Sequence, residues 1–196
     1  MGGKFIVVEG IDGAGKSTLI QTVLSLVDDA RVFHSRGFTH DSIWDRVIHS
    51  NPRSGLYYLD LAVKTARVIK PRLARGEIVL QDRYIQTVDT FSPDGNWKHN
   101  KVIRKILNPL FLKPDLYIQV TASLDEVTQR LSQTDSQEYH AFLLQHPEKM
   151  KQREESYNKI MTQMNSPKYV INTTGRTGED SALECIDLVR RELQCW

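Results

Sequence analysis

Short apolar runs alternate along this chain with longer stretches in which apolar residues recur at helical spacing. Five runs have the length and β-branched content of strands: Phe5–Val8, Arg31–His34, Ile78–Leu80, Leu116–Val120 and Tyr169–Ile171. Helices are predicted over 16–27, 41–49, 55–75, 99–111, 124–132, 147–163 and 179–194. In the first of these, Leu19, Ile20, Val23, Leu24 and Val27 supply the apolar stripe. Strands separated by helices give a parallel sheet with right-handed crossovers and helices on both faces. The expectation is therefore an α/β fold built on a five-stranded parallel sheet flanked by helices. No internal repeat or linker interrupts the pattern, so one domain over residues 1–196 is expected. The least patterned segment, SQTDSQEYHAFLLQH from Ser132 to His146, reads as a polar excursion. A lid segment over approximately 132–147 is expected there.

The first strand runs into EGIDGAGKST. Gly10, Gly15, Lys16 and Ser17 satisfy G-x-x-x-x-G-K-S/T, between a strand and a helix, which is the context a phosphate-binding P-loop requires. Gly10, Gly13 and Gly15 allow the tight turn that points successive amides at an anion. The helix that follows, entered through Thr18, adds unpaired amides and its positive dipole end. Lys16 can reach the β- and γ-phosphates of ATP, and the Ser17 hydroxyl can ligate Mg²⁺. A P-loop NTPase fold that binds a phosphate-bearing ligand together with Mg²⁺ is the expectation.

Composition narrows the classes. A chain of 196 residues buries roughly 70% of its unfolded surface and needs no staples. A net charge of +2, with a pI near 8.5, is too balanced to announce a nucleic-acid or membrane surface. Cys185 and Cys195 lack zinc spacing and read as free thiols of a reducing compartment. The first strand starts at residue 4, which leaves no room for a signal peptide, and no apolar run approaches 18 residues. A cytoplasmic protein without nucleic-acid or membrane partners is expected. The six histidines show neither metal-ligand nor triad spacing. A GTPase switch would need a guanine-reading N-K-x-D, whereas Asn165-Ser166-Pro167-Lys168 lacks the acid.

In sheets of this kind, ligands bind at the carboxyl ends of strands. After Val79 and Leu80 comes Gln81-Asp82-Arg83-Tyr84. Asp82 stands where P-loop proteins place a magnesium-linked carboxylate; it can hold Mg²⁺ through water or accept a proton from an attacking oxygen. Arg83 can clamp a phosphate with two parallel hydrogen bonds. Arg36, after the second strand, can reach the same cleft. Asp12, inside the glycine loop, cannot face the phosphates without repelling them. It turns toward a hydroxyl of a second substrate, or else stabilises the loop as an Asx-turn.

GIDGAGKST, VIKPRLARGEIVLQDRY and KPDLYIQV, in that order across about two-thirds of the chain, resemble thymidylate kinase. The tail YVINTTGRTGEDSALECIDLV is similar to that family's last strand and helix. The resemblance implies transfer of the γ-phosphoryl of Mg·ATP to a deoxynucleoside monophosphate, with dTMP as first choice, by a homodimer. It implies that Asp12 contacts the sugar 3′-hydroxyl, that Arg83 and Arg36 hold the acceptor phosphate, and that Asp82 lies near the metal. Tyr57 matches the aromatic ring that stacks on the base, and Thr87 suits a base-contacting hydroxyl.

Several positions depart from the pattern. Leu61 stands where the family has an arginine that bonds the base edge, and leucine cannot donate; Lys64, one turn on, can. Val88 replaces a glycine, and Phe91 falls where the family packs a tyrosine against the sugar. Gly13 occupies the place of the loop arginine of some members, and the segment Ser132–Pro147 contains no basic residue except histidine. Phosphoryl transfer needs positive charge on the migrating group. Arg130 or Arg153 is therefore expected to close over the phosphates. Two readings stay open beside the first: a kinase of another nucleoside, nucleotide or small-molecule hydroxyl, and a nucleotide-binding protein without turnover.

Overall fold

The computed structural model describes residues 2–37, 55–90, 97–134 and 138–196. The helix expected over 41–49 lies outside the described residues. Five strands form one parallel sheet: β1 (Lys4–Glu9), β2 (Val32–Ser35), β3 (Ile78–Asp82), β4 (Leu116–Thr121) and β5 (Lys168–Asn172). Their order is β2-β3-β1-β4-β5. β1 is central because Phe5, Ile6, Val7 and Val8 are apolar to both faces, and all four are buried. β2 and β5 are only partly buried, as strands at the two edges are. The helices among the described residues are α1 (Lys16–Leu26), α2 (Gly55–Lys64), α3 (Lys70–Ala74), α4 (Ile85–Thr90), α5 (Trp97–Leu107), α6 (Leu124–Ser132), α7 (Glu138–Gln145), α8 (Pro147–Gln163) and α9 (Gly178–Leu193).

Tertiary contacts divide the chain into two compact units. One comprises Met1–Val7 and Ala30–Asp115, the other Val8–Asp29 and Leu116–Trp196. In the first unit β2 runs parallel to β3, with Val32 opposite Ile78 and Ser35 opposite Gln81. Tyr84, fully buried, anchors this unit. Its ring meets Phe5 and Phe111 edge to face at centroid distances of 5.3 and 5.9 Å, and its hydroxyl accepts the Leu112 amide at 3.0 Å. Helices α2, α4 and α5 share a polar tie: the Tyr58 hydroxyl donates to Asp89, which also pairs with Arg104 at 3.0 Å.

The second unit pairs β4 with β5, Tyr117 opposite Lys168 through Thr121 opposite Asn172. Leu19, Ile20 and Val23 of α1 are buried, as are Ala182, Cys185, Ile186 and Val189 of α9, and the two helices pack on each other. Gly178 permits the close approach, since a Cβ there would stand 3.0 Å from Thr18 Cγ2. Thr177 caps α9 by accepting the Asp180 amide at 3.1 Å.

Four elements differ from the periodicity. The helix expected over 55–75 is interrupted by a π-turn, Thr65–Ile69, in which the Lys70 amide bonds back to Thr65. Pro71 explains it: proline has no amide to donate and its ring crowds the carbonyl four residues back, so the preceding turn widens. The helix expected over 99–111 ends at Leu107 and continues as a 3₁₀ turn over Asn108–Leu110, because Pro109 restricts Asn108. Two helices have no periodic signal. In α4 five of six residues are buried, so there is no polar face to see. Helix α7 lies within the polar excursion, with Leu143 buried and Phe142 exposed.

Candidate active site

The loop after β1 is built from backbone conformations that only glycine adopts readily. Gly10, Gly13 and Gly15 have φ of 148°, 78° and 91°. A Cβ on Gly10 would also run into the Val120 carbonyl. The Ala14 amide bonds to the Ile11 carbonyl at 3.3 Å, which closes the turn. Lys16 is buried, and its ammonium donates to the Ile11 carbonyl at 2.7 Å, so it lies folded across the loop. Helix α1 starts with neither a side-chain cap nor an acidic residue in its first turn. No acidic side chain of its own first turn offsets the positive end of its dipole. Ser17 and Thr18 are exposed at that end, and Asp12 is half-buried within the loop.

Arg130, at the end of α6, is tied to this loop. Its guanidinium donates to the Gly13 carbonyl at 3.2 Å, to Thr173 Oγ1 at 3.0 Å and to the Thr173 carbonyl at 3.2 Å, and it pairs with Glu126 one turn earlier. Thr173, just past β5, donates in turn to the Ala14 carbonyl at 3.0 Å. Glu126 also accepts the Gly175 amide at 2.9 Å. A cavity of about 160 Å³ opens beside this network, lined by Gly15, Thr18, Arg130, Thr173, Thr177 and Gly178 among others. Of the lining residues Thr173, Thr177 and Gly178 the sequence reading made nothing. The available signal was their place at the carboxyl end of the last strand, in the turn-rich stretch TTGRTGED. Arg153 is half-buried on α8.

Of the other predicted residues, Arg36, Asp82 and Arg83 stand in the first unit at the carboxyl ends of β2 and β3. Arg83 has a φ of 62°, a left-handed conformation that a side chain adopts only when the surroundings hold it there. Asp82 has one carboxylate oxygen, Oδ1, buried with no hydrogen-bond partner. Arg36 is exposed, and the adjoining Gly37 is buried against the Asp82–Arg83 turn; a Cβ on Gly37 would lie 2.7 Å from the Asp82 carbonyl. The Lys64 ammonium donates to the carbonyls of both Arg36 and Gly37, the latter at 3.2 Å. Burial lowers the pKa of Lys64, opposed by the charges of Asp60 and Asp82. Burial likewise lowers that of His34 on β2, with Asp82 opposing and Arg36 and Lys64 adding to the shift. Tyr57 is half-buried on α2, while Leu61 is wholly buried. Thr87 is buried in α4 and its carbonyl accepts the Thr90 hydroxyl at 2.9 Å. Phe91 lies outside the described residues.

Comparison with known proteins gives this arrangement its family. No protein-family model matches the chain. The thymidylate kinase of Coprothermobacter proteolyticus is 33% identical over 110 residues, covering 52% of this chain and 57% of that protein. That match spans little more than half of its relative's length. The probable thymidylate kinase of Caldivirga maquilingensis is 31% identical over 147 residues, covering 69% of this chain and 71% of the relative. The chain belongs to the thymidylate kinase family. The structure of thymidylate kinase from Candida albicans superposes with a TM-score of 0.69 at 19% identity, covering 97% of this chain and 92% of the other. That of Ehrlichia chaffeensis gives 0.67 at 17% identity, covering 97% and 99%. At such identities these two speak for the fold, which is that of the P-loop NTPases. Thymidylate kinases are ATP-dependent nucleoside monophosphate kinases. Among the described residues no helix is long and apolar enough to cross a membrane.

Proposed function

We propose that this chain transfers the γ-phosphoryl of ATP to a deoxynucleoside monophosphate, with dTMP as the acceptor. The observation that carries the reading is a glycine loop held in anion-binding form, with Arg130 and Thr173 pinned against its main chain and a cavity beside it. Membership of the thymidylate kinase family supports the same acceptor. The loop amides and Lys16 bind the donor phosphates. Freed from the Ile11 carbonyl, the Lys16 ammonium follows the charge that develops on the migrating group. Arg130 is the nearer candidate for closing charge, since it already touches the Gly13 carbonyl; Arg153 is the alternative. Arg36 and Arg83 neutralise the acceptor phosphate and align its oxygen. That oxygen is nucleophilic near neutral pH, so no strong general base is required. Asp12 bonds a hydroxyl of the acceptor sugar, Tyr57 stacks on its base, and Thr87 and Phe91 complete the pocket.

The residues also fit Mg²⁺. Ser17 offers an exposed hydroxyl, and Asp82 a buried oxygen without a partner, both hard oxygen donors. When bound, the ion neutralises the β- and γ-phosphate oxygens. The segment 132–147, which contains α7, is proposed as the lid of a single kinase domain. Homodimerisation is supported by Leu59 and Val63 on α2 and by Val102 and Ile106 on α5, which leave exposed apolar pairs at helical spacing. A cytoplasmic location, without nucleic-acid or membrane partners, is proposed on the balanced charge.

A second reading, a kinase for a different base, is favoured by Leu61. It is wholly buried where the family reads the base edge with an arginine. A pocket lacking that donor discriminates less between bases. One panel separates the readings: Mg·ATP with each nucleoside and deoxynucleoside monophosphate, with nucleosides, and alone. ADP release with dTMP or dUMP is expected. Release only with another acceptor establishes the second reading, and ATP binding without turnover on any acceptor removes both.

A further inference from the structure

Of the two arginines assigned to the acceptor phosphate, Arg83 sits on left-handed backbone that is unfavourable by itself, and Arg36 follows the last residue of an edge strand. Two polar side chains converge on that backbone from different elements. From β3, the Gln81 side-chain amide nitrogen lies 2.7 Å from the Arg83 carbonyl, 3.2 Å from that of Asp82 and 3.4 Å from that of Arg36. From the last turn of α2, the Lys64 ammonium donates to the carbonyls of Arg36 and Gly37. The Arg36 carbonyl is therefore held by both, and the Arg83 carbonyl by Gln81. Gln81 is wholly buried, and its amide oxygen has no partner. Burying that amide is costly unless its donors are used, so the contacts to the main chain are what hold the side chain in place. Gly37 completes the fit, because any Cβ would meet the Asp82 carbonyl and, at 2.9 Å, Arg83 Cβ.

We infer that Lys64 and Gln81 are positioning residues that set the main chain carrying Arg36 and Arg83, and so the geometry of the acceptor-phosphate clamp. The inference rests on the reading of those arginines as phosphate ligands. It gives Lys64 a role distinct from reading the base edge. It also makes α2, which carries Tyr57, mechanically continuous with the phosphate end of the acceptor site. A base stacked on Tyr57 and a phosphate held by Arg36 then depend on one rigid element.

The test compares the affinities of dTMP and thymidine, ligands that differ only by the phosphate, in the full-length wild type, Lys64→Met, Lys64→Arg, Gln81→Met and the double variant. The dissociation constant of dTMP is expected to rise about tenfold in Lys64→Met and Gln81→Met, the usual consequence of losing hydrogen bonds from a charged or fully buried donor. Thymidine affinity stays within about twofold, and Lys64→Arg restores most of the dTMP affinity. KM for dTMP is expected to rise more than kcat falls, which a general loss of structure would not produce. ATP affinity, read separately, reports the integrity of the fold. If Lys64→Met does not fold, Lys64→Gln, which keeps a donor amide, carries the same comparison. Equal losses of thymidine and dTMP affinity overturn the inference in favour of base reading, and unchanged affinity for both overturns it outright. A wild type that turns over dTMP while Lys64→Met keeps the full phosphate preference sinks the inference alone. A wild type that binds thymidine and dTMP equally removes the clamp itself.

Discussion

The glycine loop, proposed as the donor site, and the ends of β2 and β3, proposed as the acceptor site, are both held through main-chain carbonyls, but by different means. In the donor loop the shape comes from three glycines in left-handed or extended conformations, and Arg130 and Thr173 fasten a turn that already exists. At the acceptor end the strained residue is an arginine, and the shape depends on Lys64 and Gln81 reaching in from neighbouring elements. One region is preorganised by its own backbone, the other by side chains borrowed from helix α2 and strand β3. The first is a compact motif whose residues cannot vary without losing its form. The second can be retuned by changing a supporting side chain, and two of the departures from the family pattern, Leu61 and Val88, fall in the same unit.

The sharpest way to break this contrast is at Lys16. Lys16→Ala is expected to lower kcat by roughly 10²- to 10³-fold by removing a cation that follows the migrating charge. Thymidine and dTMP affinities and the thermal unfolding temperature should stay near wild type; a near-native kcat would end the donor assignment.

Gly10→Ala asks whether the loop is shaped by backbone alone. The new methyl meets the Val120 carbonyl and φ is 148°. A loss of stability of about 3 kcal/mol is expected from the combined strain, measured by denaturant unfolding. A loss under about 1 kcal/mol would mean that the loop tolerates another conformation.

The smallest effects are the most diagnostic of the two regions. Arg130→Ala is expected to lower kcat, to raise KM for ATP about tenfold and to leave KM for dTMP alone, since it removes a charged hydrogen-bond donor at the glycine loop. Arg36→Ala should do the reverse, raising KM for dTMP about tenfold at constant KM for ATP. Steady-state kinetics at varied concentrations of each substrate checks both. Crossed effects, with either variant disturbing the other substrate, would show that the regions are not held independently.

Much of the fold was legible because its signals are local. The five strands and the helices that became α1, α6, α8 and α9 followed from period and run length, to within a few residues at their ends. The π-turn before Pro71 was visible in principle, since a proline in a helical pattern must be accommodated. Helix α4 was not visible, because a helix buried on nearly every side carries no periodicity. At the site, Lys16, Ser17, Asp82 and Arg83 were named from their spacing and strand-end positions. Thr173, Glu126 and Gln81 were not, since threonine, glutamate and glutamine acquire a role only from what folding places beside them.

The sequence by itself determined the glycine loop, because φ angles permitted only to glycine and the strand–loop–helix context are properties of consecutive residues. The tertiary structure alone decided that Arg130 fastens that loop across 117 positions of the chain, and that Lys64 holds Arg36 across 28. Such contacts have no sequence signature. Their partners are main-chain carbonyls, which every residue carries, so only distance and direction in the folded chain select them.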